Sequence, residues 1–500
     1  MNSPYQCLVS HRNVNDSSKW TLFGASGSQL VAQTSTGALS VWSQKNEQTI
    51  EHEGDETQEP PGKRIKLSPS QDQTSNFSSL ILSSNGQYLV GVTGEDKCIR
   101  VFKVSAEGVL HQLSERCMTR RPSSITLTSD ESTILCADKF GDVYALPLFP
   151  SADDEQAETS VANDKPEEKD FKPSATVLTV HSGRNRRTLE EQLKQKAKGP
   201  LKTKEVMTFR HDLLLGHVSM LTDLAHAQVE GRSYILTADR DEHIRISRGV
   251  PQAHIIEGYC MGHEEFVSRL CLTPSGLLIS GGGDSSLFVW EWTSQRLIEK
   301  LPLRDTASEY FNAHIDADAS QLDGQEFKVA VSGIYSVPGD DSETTKILVA
   351  CEGLPALFSF DVGAAATRGA SIPLRGNALA VAFVPNSQGS CTAVVSIDNI
   401  HKPGSTTELG SDGVSSRGFA FFIEANAVLQ DAPRLQYLSQ LDNGSWQEDS
   451  SLTQVLAGFA EQGNALDVEA GNGGAAPERK TLRDILYSVE KLRKRPGAED

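Results

Sequence analysis

The stretch of sequence that decides the fold is residues 262–290. It reads GH at 262–263, LISGGGD at 278–284 and LFVW at 287–290. A histidine, a serine and a turn aspartate in this order can satisfy one another's hydrogen-bonding groups when buried, and the tryptophan indole can cover them. We therefore predict a structural network made of His263, Ser280, Asp284 and Trp290.

This order of residues is typical of a WD repeat, the unit of one class of β-propeller. The preceding repeat keeps three of the four network positions, with His217, Thr237 and Asp241. It places Ser247 where the aromatic residue would stand. The departures from the repeat are where function should be sought.

The turn of this preceding repeat, DRDEH at 239–243, is far more charged than a blade turn requires. Its carboxylates and histidine invite a catalytic interpretation. However, Asp241 is assigned to the structural turn, and neighbouring residues of a strand alternate faces, so the five side chains cannot converge on one substrate. We favour a protein-binding turn, at which Arg240 could pair bidentately with a partner carboxylate.

The whole chain is predicted to be all-β, a seven-bladed WD40-type β-propeller with disordered insertions and a C-terminal helix. Blades of this class recur about every 40–45 residues. Six or eight blades is the alternative, because the pattern is weak after residue 360. We expect CLV at 7–9 to complete the last blade and close the ring. The residues expected to close the third strands are Trp42, Phe102, Leu146, Ser247, Trp290, Phe360 and Phe421.

Composition divides the chain into a propeller at 1–440, a flexible linker at 441–478 and a helix with tail at 479–500. The propeller is expected to carry flexible insertions at about 45–76 and 150–205, which are too poor in apolar residues to fold. The helix is predicted over 482–492, where five apolar residues form one stripe. It docks either on the propeller or on a partner.

Charge and composition exclude several classes of protein. The net charge of −19 argues against binding nucleic acid by overall electrostatics. Any contact with a polyanion must therefore come from a local basic segment. The sequence shows no secretion signal, and no apolar run approaches the ~20 residues needed to cross a bilayer. The eight cysteines lack zinc-site spacing, so we expect reduced thiols and no metal.

Two basic segments lie in the insertions. The first resembles a short nuclear-import signal, although a solvated loop is the alternative; its cations are Lys63, Arg64 and Lys66. The second suits a phosphate backbone or, alternatively, a solvated linker balanced by the acidic run before it. Its candidate RNA contacts are Arg184, Arg186, Arg187, Lys194, Lys196 and Lys198.

Four motifs closely resemble one known family. They are ADKFGDVY at 137–144, LGHVSMLTD at 215–223, ADRDEHIRIS at 238–247 and MGHEEFVS at 261–268. The family is the non-catalytic WD-repeat subunit of tRNA (guanine-N7-)-methyltransferase. Its motifs cover residues 137–292, and residues 300–480 carry little family signal.

The resemblance implies a partnership rather than an activity of this chain. A separate catalytic methyltransferase subunit would hold S-adenosylmethionine and methylate a guanine in the tRNA variable loop. This chain would bind no cofactor, stabilise that subunit, help to place the tRNA and reside in the nucleus. The expected heterodimer interface is Arg240, Asp241, Glu242, His243, Glu264, Glu265 and Phe266.

Two other functions remain as rivals. One is a generic WD-repeat scaffold, such as a substrate adaptor of a ubiquitin ligase or a chromatin reader. The other is a propeller hydrolase with a metal in its central channel, which would need repeated inward-pointing carboxylates that the sequence does not show.

Overall fold

The computed structural model forms a ring of seven four-stranded antiparallel sheets. The first strand of each sheet lies against the first strands of both neighbouring sheets and so surrounds the central axis. This arrangement confirms the all-β, seven-bladed propeller. The structure describes residues 3–13, 16, 18–44, 75–149, 207, 209–314, 327–339, 345–363, 369–386, 391–408, 434–441, 444–463 and 483–494.

Each blade consists of four strands that are consecutive in the chain, with the first innermost and the fourth on the outside. Blades one to three contain β1 (Cys7–Arg12), β2 (Trp20–Ser26), β3 (Gln29–Thr34), β4 (Leu39–Ser43), β5 (Phe77–Leu82), β6 (Tyr88–Thr93), β7 (Cys98–Val104), β8 (Leu110–Cys117), β9 (Pro122–Leu127), β10 (Thr133–Asp138), β11 (Asp142–Pro147) and β12 (Asp212–Gly216). Blades four to seven contain β13 (Leu221–Val229), β14 (Arg232–Asp239), β15 (Ile244–Arg248), β16 (Ile256–Cys260), β17 (Val267–Leu272), β18 (Leu278–Gly282), β19 (Leu287–Glu291), β20 (Arg296–Leu301), β21 (Val331–Ser336), β22 (Thr345–Cys351), β23 (Ala356–Val362), β24 (Ala370–Pro373), β25 (Ala378–Pro385), β26 (Cys391–Ile397), β27 (Leu435–Gln440) and β28 (Trp446–Glu448).

Short helices join or cover the blades. Helix α1 (Leu303–His314) follows blade five, and α2 (Ala457–Glu461) follows blade seven. Single 3-10 turns occur at Trp292–Ser294 and Glu490–Leu492. None of the helices in the described ranges is long and apolar enough to pass through a lipid bilayer.

The core is divided into apolar clusters that lie between neighbouring blades. Successive side chains of a strand point to opposite faces of its sheet, so one strand contributes to the clusters on both sides of its blade. On β3, Leu30 and Ala32 pack towards blade two, whereas Val31 packs towards blade seven. Burial of a large side chain such as Leu30 or Val31 stabilises the fold by about 1.5–3 kcal/mol.

The ring closes differently from the sequence-based expectation, because residues 7–9 do not complete the last blade. They belong to β1, the innermost strand of blade one, where Cys7 pairs with Ala25 of β2. Blade seven takes its outer strand from its own sequence, at Trp446–Glu448. Closure is made by packing of β1 against β25 and by Tyr5, whose hydroxyl donates to the carbonyl of Phe459 at 2.6 Å.

The domain boundary expected at residue 440 therefore falls inside the last blade. Strand β28 and helix α2 lie in the stretch that was expected to be a flexible linker. Leu452, Leu456 and Phe459 are buried in the cluster between blades seven and one. The apolar residues after 440 are too few for a repeat pattern, but they fill the gap at which the ring closes.

Two further expectations need correction. Trp42 was expected to close the third strand of blade one, but it lies on β4, the fourth and outermost strand. There it packs edge-on against Phe102, with ring centroids 4.8 Å apart. The cysteines are not all reduced, because Cys98 and Cys117 face each other across β7 and β8 and form a disulfide. Phe421 and almost all of the insertions at 45–76 and 150–205 lie outside the described residues.

Candidate protein-docking site

One face of the ring gathers the turns between second and third strands and the loops that precede first strands. The antiparallel register brings them to one edge, since Leu221 at the start of β13 pairs with Asp239 at the end of β14. The charged turn at 239–243 and the loop at 261–266 both lie on this face. We call it the docking face.

The blade-five network predicted from the sequence is built as a chain of hydrogen bonds. His263 lies between Asp284 and Ser280, with Nδ1 2.7 Å from Asp284 Oδ2 and Nε2 2.7 Å from Ser280 Oγ. Trp290 Nε1 donates to the same Ser280 oxygen at 2.8 Å. Asp284 Oδ1 also accepts the backbone N–H of Glu264 at 3.0 Å, so the buried network fixes the loop on the docking face.

Blade four departs from this network at its aspartate. His217 Nε2 lies 2.9 Å from Thr237 Oγ1, but its Nδ1 lies 3.0 Å from the carbonyl oxygen of Gly141 in blade three. Asp241 does not take the structural position that we assigned to it. Asp239 holds the turn instead, because its Oδ1 accepts the backbone N–H groups of Asp241 at 2.8 Å and His243 at 3.0 Å.

Because Asp239 and not Asp241 holds the turn, the side chain of Asp241 is left at the surface. The carboxylate of Asp239 is nearly buried, and burial raises its pKa, while the backbone N–H of His243 partly offsets that rise. Glu242 adopts a left-handed conformation with φ of 75°, which reverses the chain at the tip. As a result, Arg240, Asp241 and Glu242 project from a rigid turn.

Exposed apolar side chains surround that turn. Phe140 is 63% exposed, Met261 is 61% exposed, and Val218 is fully exposed. Backbone hydrogen bonds join the loops of Phe140 and Val218 to the turn, since His217 N–H donates to Gly141 and Arg240 N–H donates to Met220 at 3.0 Å. The loop of Met261 is joined to the turn through the pairing of Cys260 with Ile244. We call residues 138–142, 216–220, 239–243 and 259–265 the docking rim.

The C-terminal segment 483–494, which we call the strap, lies across the docking face. The continuous helix expected over 482–492 is wrong, because only 483–486 is α-helical and a 3-10 turn follows at 490–492. Glu352 accounts for the break: its carboxylate accepts the N–H groups of Val489 and Glu490, which a helix would have used internally. The alternative that this segment docks on the propeller itself is the one observed.

The strap covers part of the interface that the sequence predicted. Arg240 Nε donates to the carbonyl oxygen of Leu492 at 3.0 Å, and Arg493 Nη1 lies 3.3 Å from Glu265 Oε2. Phe266 is only 2% exposed, because it packs against the strap with the Arg493 guanidinium 5.3 Å from its ring. Phe266 is therefore a support of the docking face and not a part of its outer surface.

The end of the strap is held by charge alone. Lys494 Nζ lies 3.1 Å from Asp241 Oδ1 and 3.2 Å from Glu242 Oε1. Burial alone would raise the pKa of Asp241, but hydrogen bonds from Lys494 and Ser219 lower it below its ordinary value. The same contacts raise the pKa of Lys494. All these groups are well exposed, so each ion pair contributes only about 0–1 kcal/mol.

The remaining predicted interface residues are accessible. Glu264 is exposed, and the His243 side chain is 45% exposed with its Nδ1 3.4 Å from Asp239 Oδ2. Sequence reasoning did not single out Phe140, Val218 or Met261 as interface residues. Their only signal was their place within the family motifs.

Other predicted sites are not described. The candidate RNA contacts at 184–198 and the candidate import signal at 63–66 lie outside the described residues. Within the described ranges, the one cluster of three metal-binding residue types is Cys98, Glu115 and Cys117. Its two sulfurs are bonded to each other, so they offer no thiolates.

Comparison with known proteins places this geometry in a family. The sequence matches the family described as "tRNA methyltransferase TRM82 WD40 domain" over residues 22–422. The chain belongs to this family. A curated relative from Phaeosphaeria nodorum, named "tRNA (guanine-N(7)-)-methyltransferase non-catalytic subunit TRM82", is 61% identical over 498 residues and 99% of each chain. A relative of the same name from Aspergillus oryzae is 39% identical over 531 aligned positions and 99% of each chain.

Membership of the TRM82 family confirms the resemblance drawn from the four motifs. It also confirms the expectation of a non-catalytic subunit, because the relatives carry that name. Among solved structures, the "Crystal structure of RRP9 WD40 repeats" is similar with a TM-score of 0.48 and 14% identity, covering 80% of this chain and 89% of that chain.

Proposed function

We propose that this TRM82-family chain is the docking subunit of a heterodimeric tRNA (guanine-N7-)-methyltransferase, and that the catalytic subunit binds the docking rim. The observation that carries the proposal is the exposure of Phe140, Val218 and Met261 around the charged turn at 239–243. Large apolar side chains grouped on one surface of a soluble protein mark an interaction site.

The chemistry of the rim favours a protein over an RNA as its partner. Asp241, Glu242 and Glu264 would repel a phosphate backbone, and exposed apolar side chains gain nothing from phosphate. The same groups suit a protein surface that combines apolar side chains with basic ones. In this proposal, tRNA reaches the complex mainly through the catalytic subunit.

This chain contributes a rigid docking surface to the complex. The blade-five network fixes the loop at Glu264, and Asp239 fixes the turn at Arg240, before any partner arrives. Binding to a preorganised surface avoids the entropy cost of ordering it. The chain thereby stabilises the catalytic subunit, which holds S-adenosylmethionine, and helps to place the tRNA variable loop. We propose that the complex acts in the nucleus and that the basic run at 184–198 adds a tRNA contact.

Charge reversal at Arg240 tests the proposal. Arg240→Glu replaces the guanidinium, which can pair with a carboxylate of the catalytic subunit, by a carboxylate that would repel it. Loss of one partner from a charged interface pair costs about 2–5 kcal/mol, so the Kd for the catalytic subunit should rise at least about 30-fold. The measurement is the Kd by calorimetry, together with guanine-N7 methylation of tRNA by the co-expressed pair.

Arg296→Glu is the matched control. Arg296 is exposed and begins β20, at the opposite face of the propeller. Its reversal should leave the Kd and the methylation rate within about twofold, and circular dichroism should show both variants folded. An Arg240→Glu chain that binds and supports methylation normally would contradict the proposal and favour a generic scaffold or adaptor.

A further inference from the structure

The middle of the strap is anchored by buried polar groups of blade seven. Tyr487 is only 4% exposed, and its hydroxyl donates to Asp398 while accepting from Asn377 Nδ2 at 3.0 Å. Asp398 also lies 2.7 Å from His401 Nδ1. If the strap left, Asp398 and Asn377 would each lose one buried hydrogen bond, the one to the hydroxyl of Tyr487.

Blade six and blade five hold the next part of the strap. Val489 is buried in an apolar cluster with Phe266, Ala330 and Leu492. Arg493, whose side chain is 10% exposed, donates to the carbonyl oxygens of Val329 at 2.8 Å and Gly283 at 3.3 Å. Release of the strap would expose this cluster to water.

Only the last described residue is loosely held. Lys494 is half-exposed, and its contacts with Asp241 and Glu242 are ion pairs at the surface. A basic side chain from a partner can replace it there at little cost. The strap therefore has a fixed body at 487–493 and an exchangeable end.

We propose that the strap is a permanent part of the docking surface: the catalytic subunit binds the docking rim and the outer side of the strap together, and displaces only Lys494. Arg240, at the centre of the rim, is bonded to Leu492 of the strap, so a partner that covers the rim also reaches the strap. The partner is expected to bring a basic group to Asp241 and Glu242. This inference rests on the proposed function.

The test uses the full-length chain with Val489→Asp, which buries a charge beneath the strap and should release it. Release is measured by hydrogen exchange, since the Val489 and Glu490 amides bonded to Glu352 should exchange at least tenfold faster. The Kd for the catalytic subunit should then rise at least tenfold. Val109→Asp is the matched control, because Val109 is exposed in the turn between β7 and β8 on the opposite face.

Lys494→Ala separates the fixed body from the exchangeable end. Because the partner displaces Lys494, this variant should bind with an unchanged or lower Kd. If Val489→Asp alone leaves exchange slow, Tyr487→Ala is added to release the strap.

A released strap with an unchanged or lower Kd overturns the inference, and a lower Kd would mean that the strap competes with the partner. In that case, weakened binding by the Arg240→Glu chain would still support the proposed function. If Arg240→Glu also binds normally, the proposed docking site itself has failed.

Discussion

Removal of one buried hydroxyl tests whether the blade-five network holds both the fold and the docking loop. In the proton arrangement that satisfies every group, Trp290 Nε1–H donates to Ser280 Oγ and the Ser280 hydroxyl donates to His263 Nε2. His263 Nδ1–H then donates to Asp284 Oδ2. Ser280→Ala takes away the central oxygen of this chain.

The expected magnitude follows from the groups left behind. Ser280 is fully buried, and loss of its hydroxyl leaves two nitrogens, His263 Nε2 and Trp290 Nε1, without partners. Each unsatisfied buried group costs about 1–3 kcal/mol, so the free energy of unfolding should fall by about 2–6 kcal/mol. Thr237→Val is the control, because it removes the matching hydroxyl of blade four at nearly constant volume. Its single histidine partner, His217, is half-buried, so the nitrogen that loses the hydroxyl can bond to water. We therefore expect the free energy of unfolding to fall by about 1 kcal/mol or less.

Urea denaturation followed by tryptophan fluorescence measures both losses. Hydrogen exchange at the Glu264 amide, which donates to Asp284, reports whether the docking loop loosens with the network. A Ser280→Ala loss no larger than that of Thr237→Val would refute the view that the network is a main support of blade five. Slow exchange at Glu264 in the same variant would show that the loop is held independently.

Two further predictions concern the docking face. Phe140→Ser with Val218→Ser should raise the Kd for the catalytic subunit at least tenfold, whereas the free energy of unfolding should change by only about 0.5 kcal/mol per site, because both side chains are exposed. Burial alone would raise the pKa of Asp398, but His401 and the hydroxyl of Tyr487 lower it below the ordinary 3.8. The ionised carboxylate therefore stabilises the folded chain above pH 3.8 and loses this effect as the pH falls through its folded pKa. The melting temperatures of the wild type and Asp398→Asn should differ at pH 7 and converge below pH 3.8.

The blade-five network was predictable because all of its members lie within one repeat. His263, Ser280, Asp284 and Trp290 are separated by short stretches, and their donors and acceptors match without help from elsewhere. Local repeats of this kind also determined the number of blades. The partnership was predictable only through the family motifs, since no residue pattern by itself names a methyltransferase.

The turn at 239–243 shows where pattern reasoning fails. Spacing from Thr237 assigned the structural role to Asp241, as in blade five. A carboxylate two residues earlier can instead accept the N–H groups of its own turn, and Asp239 does so. Both arrangements satisfy the local chemistry, and in the structure His217 bonds to Gly141 of another blade and not to Asp241.

The sequence by itself determined that strands recur in blades, that blade five contains a buried polar network, and that the turn around Arg240 carries charge. These properties depend on spacing within a few tens of residues. Tertiary structure alone decided that β1 lies innermost, because any strand with alternating apolar residues can pair on either edge of a sheet. Tertiary structure also decided the conformation of the strap, whose apolar stripe would suit a helix. The carboxylate of Glu352, 137 positions away in the chain, captured the backbone N–H of Val489 and stopped that helix from forming.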